Sequence, residues 1–318
     1  MSQQAAGAAP LAQPARRGAR SFEVPTSSWN KARERLAWIL VAPSVLVVAV
    51  VALFPLFQSF RYSFTNARFG SAREVEFVGF RNYQRLFSDD TFISALGHTV
   101  TFTVASVAIE TLLGIAIALI INSNFQGRGL VRTSMLIPWA IPTVVSAQLW
   151  KFMFSQNNGV INDLLVNRLG ILERPVAWLA NTSTALPSII AVDVWKTTPF
   201  MALLILAGLQ IIPGDIYEAA TVDGANKIQQ FFQHTLPLLR PALLVALIFR
   251  TLDAFRVFDV IWVMRGAAAD TISLAIYARQ EMIDEQFLGR GSAAAVVIFL
   301  CIALMVLVYT RLVRVEEG

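Results

Sequence analysis

Six stretches of the chain are apolar for long enough to cross a lipid bilayer. A helix rises 1.5 Å per residue and needs about 20 mostly apolar residues to span the hydrocarbon core. The six stretches cover residues 37–60, 93–121, 130–154, 185–211, 238–264 and 291–310. The third, fourth and fifth also contain prolines and charges. The pattern predicts an all-α membrane protein with six transmembrane helices.

The amino-terminal residues differ from the rest of the chain. Residues 1–34 are rich in Ala, Gln, Pro and Arg, without periodicity, and predict a disordered tail ahead of one six-span domain over residues 35–315. Lys31, Arg33 and Arg35 lie beside the first apolar stretch. Because cytoplasmic flanks carry the excess of Lys and Arg, we expect a cytoplasmic N-terminus, and six spans then give a cytoplasmic C-terminus.

The composition excludes several classes of protein. Apolar residues make up 56% of the 318-residue chain and charged residues 15%, too little charge for an ordinary soluble enzyme. Cys301 is the single cysteine, and His98 and His234 lie far apart, so neither a disulfide framework nor a metal site is expected. No basic cluster alternates with aromatic residues, so nucleic acid is not an expected partner.

A polar elbow separates the fourth and fifth apolar stretches, at residues 213–237. Pro213 and Gly214 end the preceding helix, and Asp215 is expected to cap a new one, with Glu218 three residues later. Gly224 interrupts that helix, and a second short helix is expected up to residue 235, before Pro237. The segment is too polar to span, and a helix-Gly-helix elbow lying on the membrane surface is the simplest interpretation.

The residues of this elbow resemble the EAA signature of permease subunits in ATP-binding-cassette (ABC) importers. The matching residues are Glu218, Ala219, Ala220, Asp223, Gly224, Leu236 and Pro237. The LPLLRP sequence is similar to the carbohydrate-uptake, maltose-type branch, and the similarity covers residues 35–315. His234 stands where the signature usually has Ile.

This resemblance implies a maltose-type permease fold, in which the elbow is a cytoplasmic coupling element that contacts an ATPase subunit. It implies a second, homologous permease subunit, two ATPase subunits and an extracytoplasmic sugar-binding protein as partners, in a bacterial inner membrane. The chain contains no Gly-x-x-x-x-Gly-Lys-[Ser/Thr] motif. We therefore expect no cofactor in this chain and no enzymatic activity, with ATP and magnesium bound by the partner subunits.

Several charges lie within the apolar stretches, where each is costly and suggests function. Arg250, Asp253, Arg256 and Asp259 follow one another at intervals of three, so the series can neutralise itself along one helix. Asp193 and Lys196 have the same spacing, whereas Glu110 and Lys151 have no partner nearby in sequence. These charges either hold helices together or line a solute path.

The resemblance suggests which of these residues line the path. Comparison with the maltose-importer family points to Trp139, Thr143, Thr197, Phe200, Asp253 and Arg256. Asp193, a charge within the fourth apolar stretch, is expected on the same path. An aromatic ring can stack on a sugar face, although plain helix packing accounts for Trp139 and Phe200 equally well. Pro138 and Pro142 are expected to break the third helix at this level.

The expected function is import of a sugar by alternating access, with a disaccharide such as trehalose as the expected substrate. The pattern is most similar to actinobacterial disaccharide permeases. The identity of the sugar, and whether this subunit or its partner holds it, stay open. A proton-coupled secondary transporter that uses Glu110 or Asp253 is the alternative. It explains the buried charges but not the elbow.

Overall fold

The computed structural model describes residues 28–72 and 74–316, and within them the chain forms helices and no strand. One isolated antiparallel bridge joins Thr65 and Phe77. The first eight helices are α1 Ser28–Val48, α2 Phe54–Ser63, α3 Arg81–Phe87, α4 Asp90–Asn122, α5 Arg128–Met135, α6 Ile137–Ala140, α7 Thr143–Met153 and α8 Val160–Asn162. The others are α9 Thr182–Leu209, α10 Gly214–Val222, α11 Lys227–Gln230, α12 Leu236–Phe255, α13 Asp259–Arg265, α14 Leu274–Arg279 and α15 Leu288–Glu316. Four π-helical segments cover Ala49–Leu53, Asp163–Arg168, Phe231–Thr235 and Gln280–Asp284.

The described residues divide into two compact units, one that ends at Pro55 and one that begins at Leu56. In the first unit, α1 begins at Ser28, so the end of the tail predicted to be disordered is helical. The reason is a run of strong helix formers, from Ala32 to Arg35. Residues 1–27, the rest of that tail, lie outside the described residues.

Four of the six predicted spans match single helices that are long and apolar enough to cross a bilayer. These helical runs are Arg33–Ser63, Asp90–Asn122, Thr182–Leu209 and Leu288–Arg311. The third predicted span is instead broken. Its two parts, Arg128–Ala140 and Thr143–Met153, meet at 89°. Ile141 and Pro142 are extended at the break, as the prolines there predict.

The fifth predicted span is not one helix. α12 ends at Phe255, residues 256–258 are not helical, and α13 follows. α12 carries Arg240, Arg250 and Asp253 within 20 residues, and it is not among the helices that are long and apolar enough to cross a bilayer. A continuous helix over residues 238–264, as predicted, is therefore not what forms, because the chain leaves the helical conformation at residues 256–258.

The core of the second unit is built on α4, α9 and α12, which pack against one another. α4 and α9 run side by side in the same direction, and a Cβ at Gly114 of α4 would meet Met201 and Ile205 of α9. A Cβ at Gly208 of α9 would collide with Ala242 of α12. Glycine at these two positions lets the helices approach closely.

Apolar packing in this core forms two separate clusters. The larger includes Phe92, Phe102 and Phe255, and the smaller surrounds Ile121 and Leu239 close to the elbow. Charged side chains of α4, α9 and α12 meet in the same core and belong to neither cluster.

Asp89 caps the first turn of α4. Its carboxylate accepts hydrogen bonds from the Thr91 backbone N–H at 2.8 Å and from the Tyr277 hydroxyl at 2.7 Å. Partial burial alone would raise the pKa of Asp89, but these hydrogen bonds hold that pKa below its ordinary value. The cap therefore stays ionised at neutral pH and ties α4 to α14.

Candidate functional site

Arg250 is the centre of an ion cluster that joins three helices. Its side chain, 2% exposed, donates hydrogen bonds to the carboxylates of Glu110 on α4 and Asp193 on α9. Its Nη2 lies 3.0 Å from Glu110 Oε1, and the Thr197 hydroxyl donates to that same oxygen at 2.6 Å. A buried charge is tolerated when it is paired and hydrogen-bonded in this way.

This pairing corrects the predicted self-neutralising series on the fifth span. Arg250 also reaches Asp253, at 3.3 Å, but its buried partners come from other helices. The contact between Arg256 and Asp253 is long, 3.9 Å, and exposed to solvent. Among the described residues, no ion pair joins Arg256 to Asp259. The i,i+3 spacing is local, whereas Glu110 lies 140 positions from Arg250.

The two lysines within the bundle bind backbone oxygen atoms. Lys196 donates to the carbonyl of Trp139 at 3.3 Å, and Lys151 donates to the carbonyl of Val263 at 2.9 Å. The Trp139 carbonyl lies in α6, directly before the break in the third span. Lys196 therefore holds the backbone at this break, and Lys151 joins α7 to α13.

A cavity of about 310 Å³ opens beside the ion cluster. Six of the seven residues predicted to line a solute path surround it: Trp139, Thr143, Asp193, Thr197, Asp253 and Arg256. Phe200, the seventh, is not on the wall but stacks against Trp139, with ring centroids 5.9 Å apart and planes at 12°. The broken third helix and the α12–α13 break both contribute to this wall.

The chemistry of the cavity wall suits a polar ligand. It presents carboxylates, an ammonium group, guanidinium groups and hydroxyls, together with the aromatic residue Trp139. Irregular backbone at membrane depth is tolerated where it lines such a cavity. Sequence reasoning identified Lys196, Arg250 and Asp259 as charged but did not place them on the path. Phe102, Val257 and Phe258 carried no signal that could have placed them on this wall.

The elbow consists of α10, a turn at Gly224 and α11. Gly224 has φ +80°, a left-handed conformation that favours glycine. The capping prediction for Asp215 was wrong. α10 begins at Gly214, with Asp215 in its first turn and no side-chain hydrogen bond at that cap. The capping box belongs to α11 instead, where Asn226 and Gln229 satisfy each other's backbone N–H groups.

The residues of the predicted coupling signature differ in exposure. Glu218, Ala219, Asp223 and Gly224 are exposed, Ala220 is buried, and Leu236 and Pro237 are half-buried. The elbow is held internally by Gln230, whose amide donates to the Thr221 hydroxyl and to the Ala225 carbonyl, each at 3.0 Å. The signature therefore presents its polar residues outward from a well-bonded turn.

Apolar side chains are also exposed on the elbow. Val222 is 88% exposed, Ile228 71% and Phe232 62%. Beside them, Tyr217, Phe231 and Leu119 help to line a groove of about 550 Å³. Exposed apolar groups clustered around a groove mark a protein–protein or a membrane interaction site.

Comparison with known proteins identifies the class to which this fold and these sites belong. Residues 110–315 match the family described as "binding-protein-dependent transport system inner membrane component". The chain belongs to this family of permease subunits. A binding-protein-dependent transport system does not fit the proton-coupled secondary transporter considered above.

The names of several relatives state which sugar the transport system carries. The trehalose/maltose transport system permease protein MalF of Thermococcus litoralis is 41% identical, over 91% of this chain and 97% of its own length. The sulfoquinovosyl glycerol transport system permease protein SmoG of Agrobacterium fabrum is 39% identical, covering 89% of this chain and 91% of its own. The trehalose transport system permease protein SugA of Mycobacterium tuberculosis is 37% identical, over 88% and 89%.

Solved structures share the fold. A chain of a bacterial ABC transporter involved in import of the acidic polysaccharide alginate has a TM-score of 0.78 and 24% identity, covering 90% of this chain and 98% of that one. A chain of the alginate transporter in complex with an alginate pentasaccharide-bound periplasmic protein has a TM-score of 0.77 and 25% identity, over 90% and 97%. The protein therefore has the fold of an ABC importer permease.

Proposed function

We propose that this chain is a permease subunit of an ATP-driven importer that carries a sugar into the cytoplasm by alternating access. Its partners in this proposal are a second permease, two ATPase subunits that bind ATP and magnesium, and an extracytoplasmic sugar-binding protein. The elbow and both chain termini are cytoplasmic. The names of the relatives support a disaccharide, with trehalose or maltose as the first candidates.

The observation that carries this proposal is the cavity beside the ion cluster. Residues far apart in sequence, from Trp139 to Arg256, meet on one wall that combines an aromatic face with hydrogen-bonding groups. A sugar has an apolar ring face and a rim of hydroxyls. In this proposal Trp139 stacks on the ring face, and Thr143, Asp253 and Arg256 form hydrogen bonds with the hydroxyls.

The elbow supports the energy-coupling part of the proposal. Its polar signature residues and its exposed apolar residues lie on one short, well-bonded segment that leads directly into α12, the helix that carries Arg250. A partner ATPase that contacts Glu218 and Val222 would thus act on the helix that lines the cavity. The chain supplies the surface and the partner supplies ATP hydrolysis.

The experiment for the sugar site uses the complete transporter, reconstituted in vesicles with its binding protein. Uptake of labelled trehalose and maltose is measured with ATP on the side of the membrane where the ATPase subunits lie. Trp139→Ala is expected to raise the half-saturating concentration of sugar-loaded binding protein or to lower the transport rate at least tenfold. Trp38→Ala, a change at an equally large, 64% exposed residue of the first span, is expected to have little effect.

The experiment for coupling separates the two transport classes. Glu218→Ala and Gly224→Ala are expected to abolish uptake while the chain still inserts in the membrane. Uptake that survives both substitutions would contradict ATPase coupling. So would uptake that a protonophore abolishes while ATP remains.

A further inference from the structure

A second polar cavity lies at the end of the bundle opposite the elbow. It has a volume of about 130 Å³ and is formed by the loop after α2, by α3 and by the start of α15. Four arginines contribute guanidinium groups to its wall, and we call this site the arginine pocket. They are Arg68, Arg81, Arg85 and Arg290. None of the described residues that line this cavity is acidic. The wall therefore carries a concentrated positive charge.

Glu281 compensates part of that charge, because it interacts electrostatically with both Arg85 and Arg290. Arg290 lies 3.8 Å from Glu281, a long ion pair. Within the described part of the chain, no carboxylate lies within ion-pair distance of Arg68, Arg81 or Arg85. Like charges held around one small cavity repel one another unless an anion lies between them.

An aromatic ring holds two of these arginines in place. The guanidinium of Arg68 lies 4.0 Å from the centre of the Phe287 ring, and that of Arg290 lies 3.7 Å from the same centre. Cation–π contacts of this kind orient a guanidinium without neutralising it. Both groups are therefore fixed on the wall and keep their N–H donors for a ligand.

The position of the cavity indicates where the anion comes from. Arg290 lies in the first turn of the candidate span Leu288–Arg311, and Thr65, on the same wall, follows the end of the span Arg33–Ser63 by two residues. The cavity is thus at the level of the lipid headgroups. Phe77 and Phe80, 77% and 68% exposed, lie beside it, as aromatic residues do at membrane interfaces.

We propose that the arginine pocket binds the phosphate group of an anionic lipid headgroup. Guanidinium groups bind phosphate oxygens in pairs, through parallel N–H···O bonds, and four of them around one cavity match a tetrahedral oxyanion. The bound lipid joins α3, α15 and the loop after α2. Its negative charge relieves the repulsion between the arginines that these elements carry. The site is separate from the sugar cavity and from the elbow.

The test uses the full-length chain purified in mild detergent with its co-expressed transporter subunits. Native mass spectrometry and thermal unfolding are recorded with added phosphatidylglycerol, phosphatidylcholine or inorganic phosphate at equal ionic strength. We expect phosphatidylglycerol to bind and raise the unfolding temperature more than either alternative. Arg81→Gln with Arg85→Gln is expected to weaken phosphatidylglycerol binding at least about tenfold.

Two variants complete the design. Arg168→Gln changes an exposed arginine that pairs with Asp163 away from the cavity, and it is expected to keep lipid binding. Arg81→Lys with Arg85→Lys keeps the charge and the fold and is expected to bind at intermediate strength. Equal binding by the glutamine variant and the unchanged chain would overturn the proposal. So would equal stabilisation by inorganic phosphate, which would indicate a free-anion site, or by phosphatidylcholine.

Discussion

The ion cluster in the bundle and the elbow at its end differ in which groups they leave without a partner. In the cluster, Arg250, Glu110 and Asp193 come from three helices and satisfy one another with little exposure to solvent. In the elbow, the polar groups are bonded locally, through Asn226 and Gln230, and the apolar side chains remain exposed.

The two regions therefore differ in whether this chain alone satisfies their side chains. The bundle buries its costly groups by itself, so its polar cluster stabilises this chain and is sensitive to any loss of a member. The elbow is held by its own hydrogen bonds and leaves apolar side chains exposed, so we expect those side chains to contribute to assembly rather than to folding. Substitutions in the two regions should therefore affect different measurements.

The largest effect is expected for Arg250→Met. It leaves the carboxylates of Glu110 and Asp193 buried without a cation, and breaking a buried pair costs about 3–5 kcal/mol. We expect a large loss of monodisperse protein on heating in detergent. Arg256→Met, at a position 63% exposed, is the matched control and should have little effect.

A neutral triple variant tests the cause of that loss. Glu110→Gln and Asp193→Asn, added to Arg250→Met, remove the two uncompensated charges and should restore part of the stability. Stability of Arg250→Met equal to that of Arg256→Met would contradict the central role of the cluster.

A smaller effect is expected where α9 meets α12. In Gly208→Ala the new Cβ would collide with Ala242, and overpacking of this kind costs about 1–3 kcal/mol. Gly97→Ala, in α4, is the control, since a Cβ there meets nothing within 4 Å. Alanine favours a helix over glycine, so Gly97→Ala should leave stability unchanged or raise it. Heating curves of the two variants should shift in opposite directions.

Within the elbow, Asn226→Ala should cost about 1 kcal/mol, confined to that segment. The Asn226 side chain accepts hydrogen bonds from the N–H groups of Ile228, at 3.0 Å, and Gln229, at 2.9 Å. Hydrogen exchange of these amides should accelerate about fivefold, while the amides of α12 keep their protection. Asn167→Ala, which removes only an exposed contact to Asp163, should leave the elbow unchanged. A loss of protection along α12 would show that the elbow is not a local unit.

The smallest effect on stability is expected for Val222→Ser. An 88% exposed side chain contributes little to folding, so the change should stay within about 0.5 kcal/mol. Sugar-stimulated ATP hydrolysis by the complete transporter should nevertheless fall severalfold, since an apolar contact with the partner is lost. Val75→Ser, at a 56% exposed position outside the elbow, should change neither measurement. Unfolding caused by Val222→Ser would contradict the distinction between the two regions.

The sequence indicated the helices well because bilayer-length apolar runs follow directly from the thickness of the membrane. It also indicated the break near Pro142, since proline removes a helical hydrogen bond. It failed at residues 256–258, where no proline or glycine marks the end of α12. That break depends on packing around the cavity, which local sequence does not record.

The candidate cavity was partly predictable for the same reason. Charges within apolar stretches, such as Asp193 and Asp253, can be recognised from the sequence alone. The family resemblance added Trp139 and Thr143 to the residues predicted to line the cavity. The partners of those charges were not visible, since Glu110 and Arg250 are 140 positions apart and meet only in the folded bundle. Spacing along one helix suggested that the charges pair within that helix, whereas in the structure the buried charges pair between helices.

The helical path from Lys227 to Phe255 is uninterrupted, because the π-helical turn at Phe231–Thr235 joins α11 to α12. From Lys227 to Arg250 this rod is about 35 Å long, at 1.5 Å per residue. A tilt of about 10° around its elbow end would displace the Arg250 guanidinium by about 6 Å, twice the length of a hydrogen bond. The carboxylates that it binds sit on two other helices. A small rotation at the elbow end of this helix would therefore be enough to break or to form the contacts of the ion cluster.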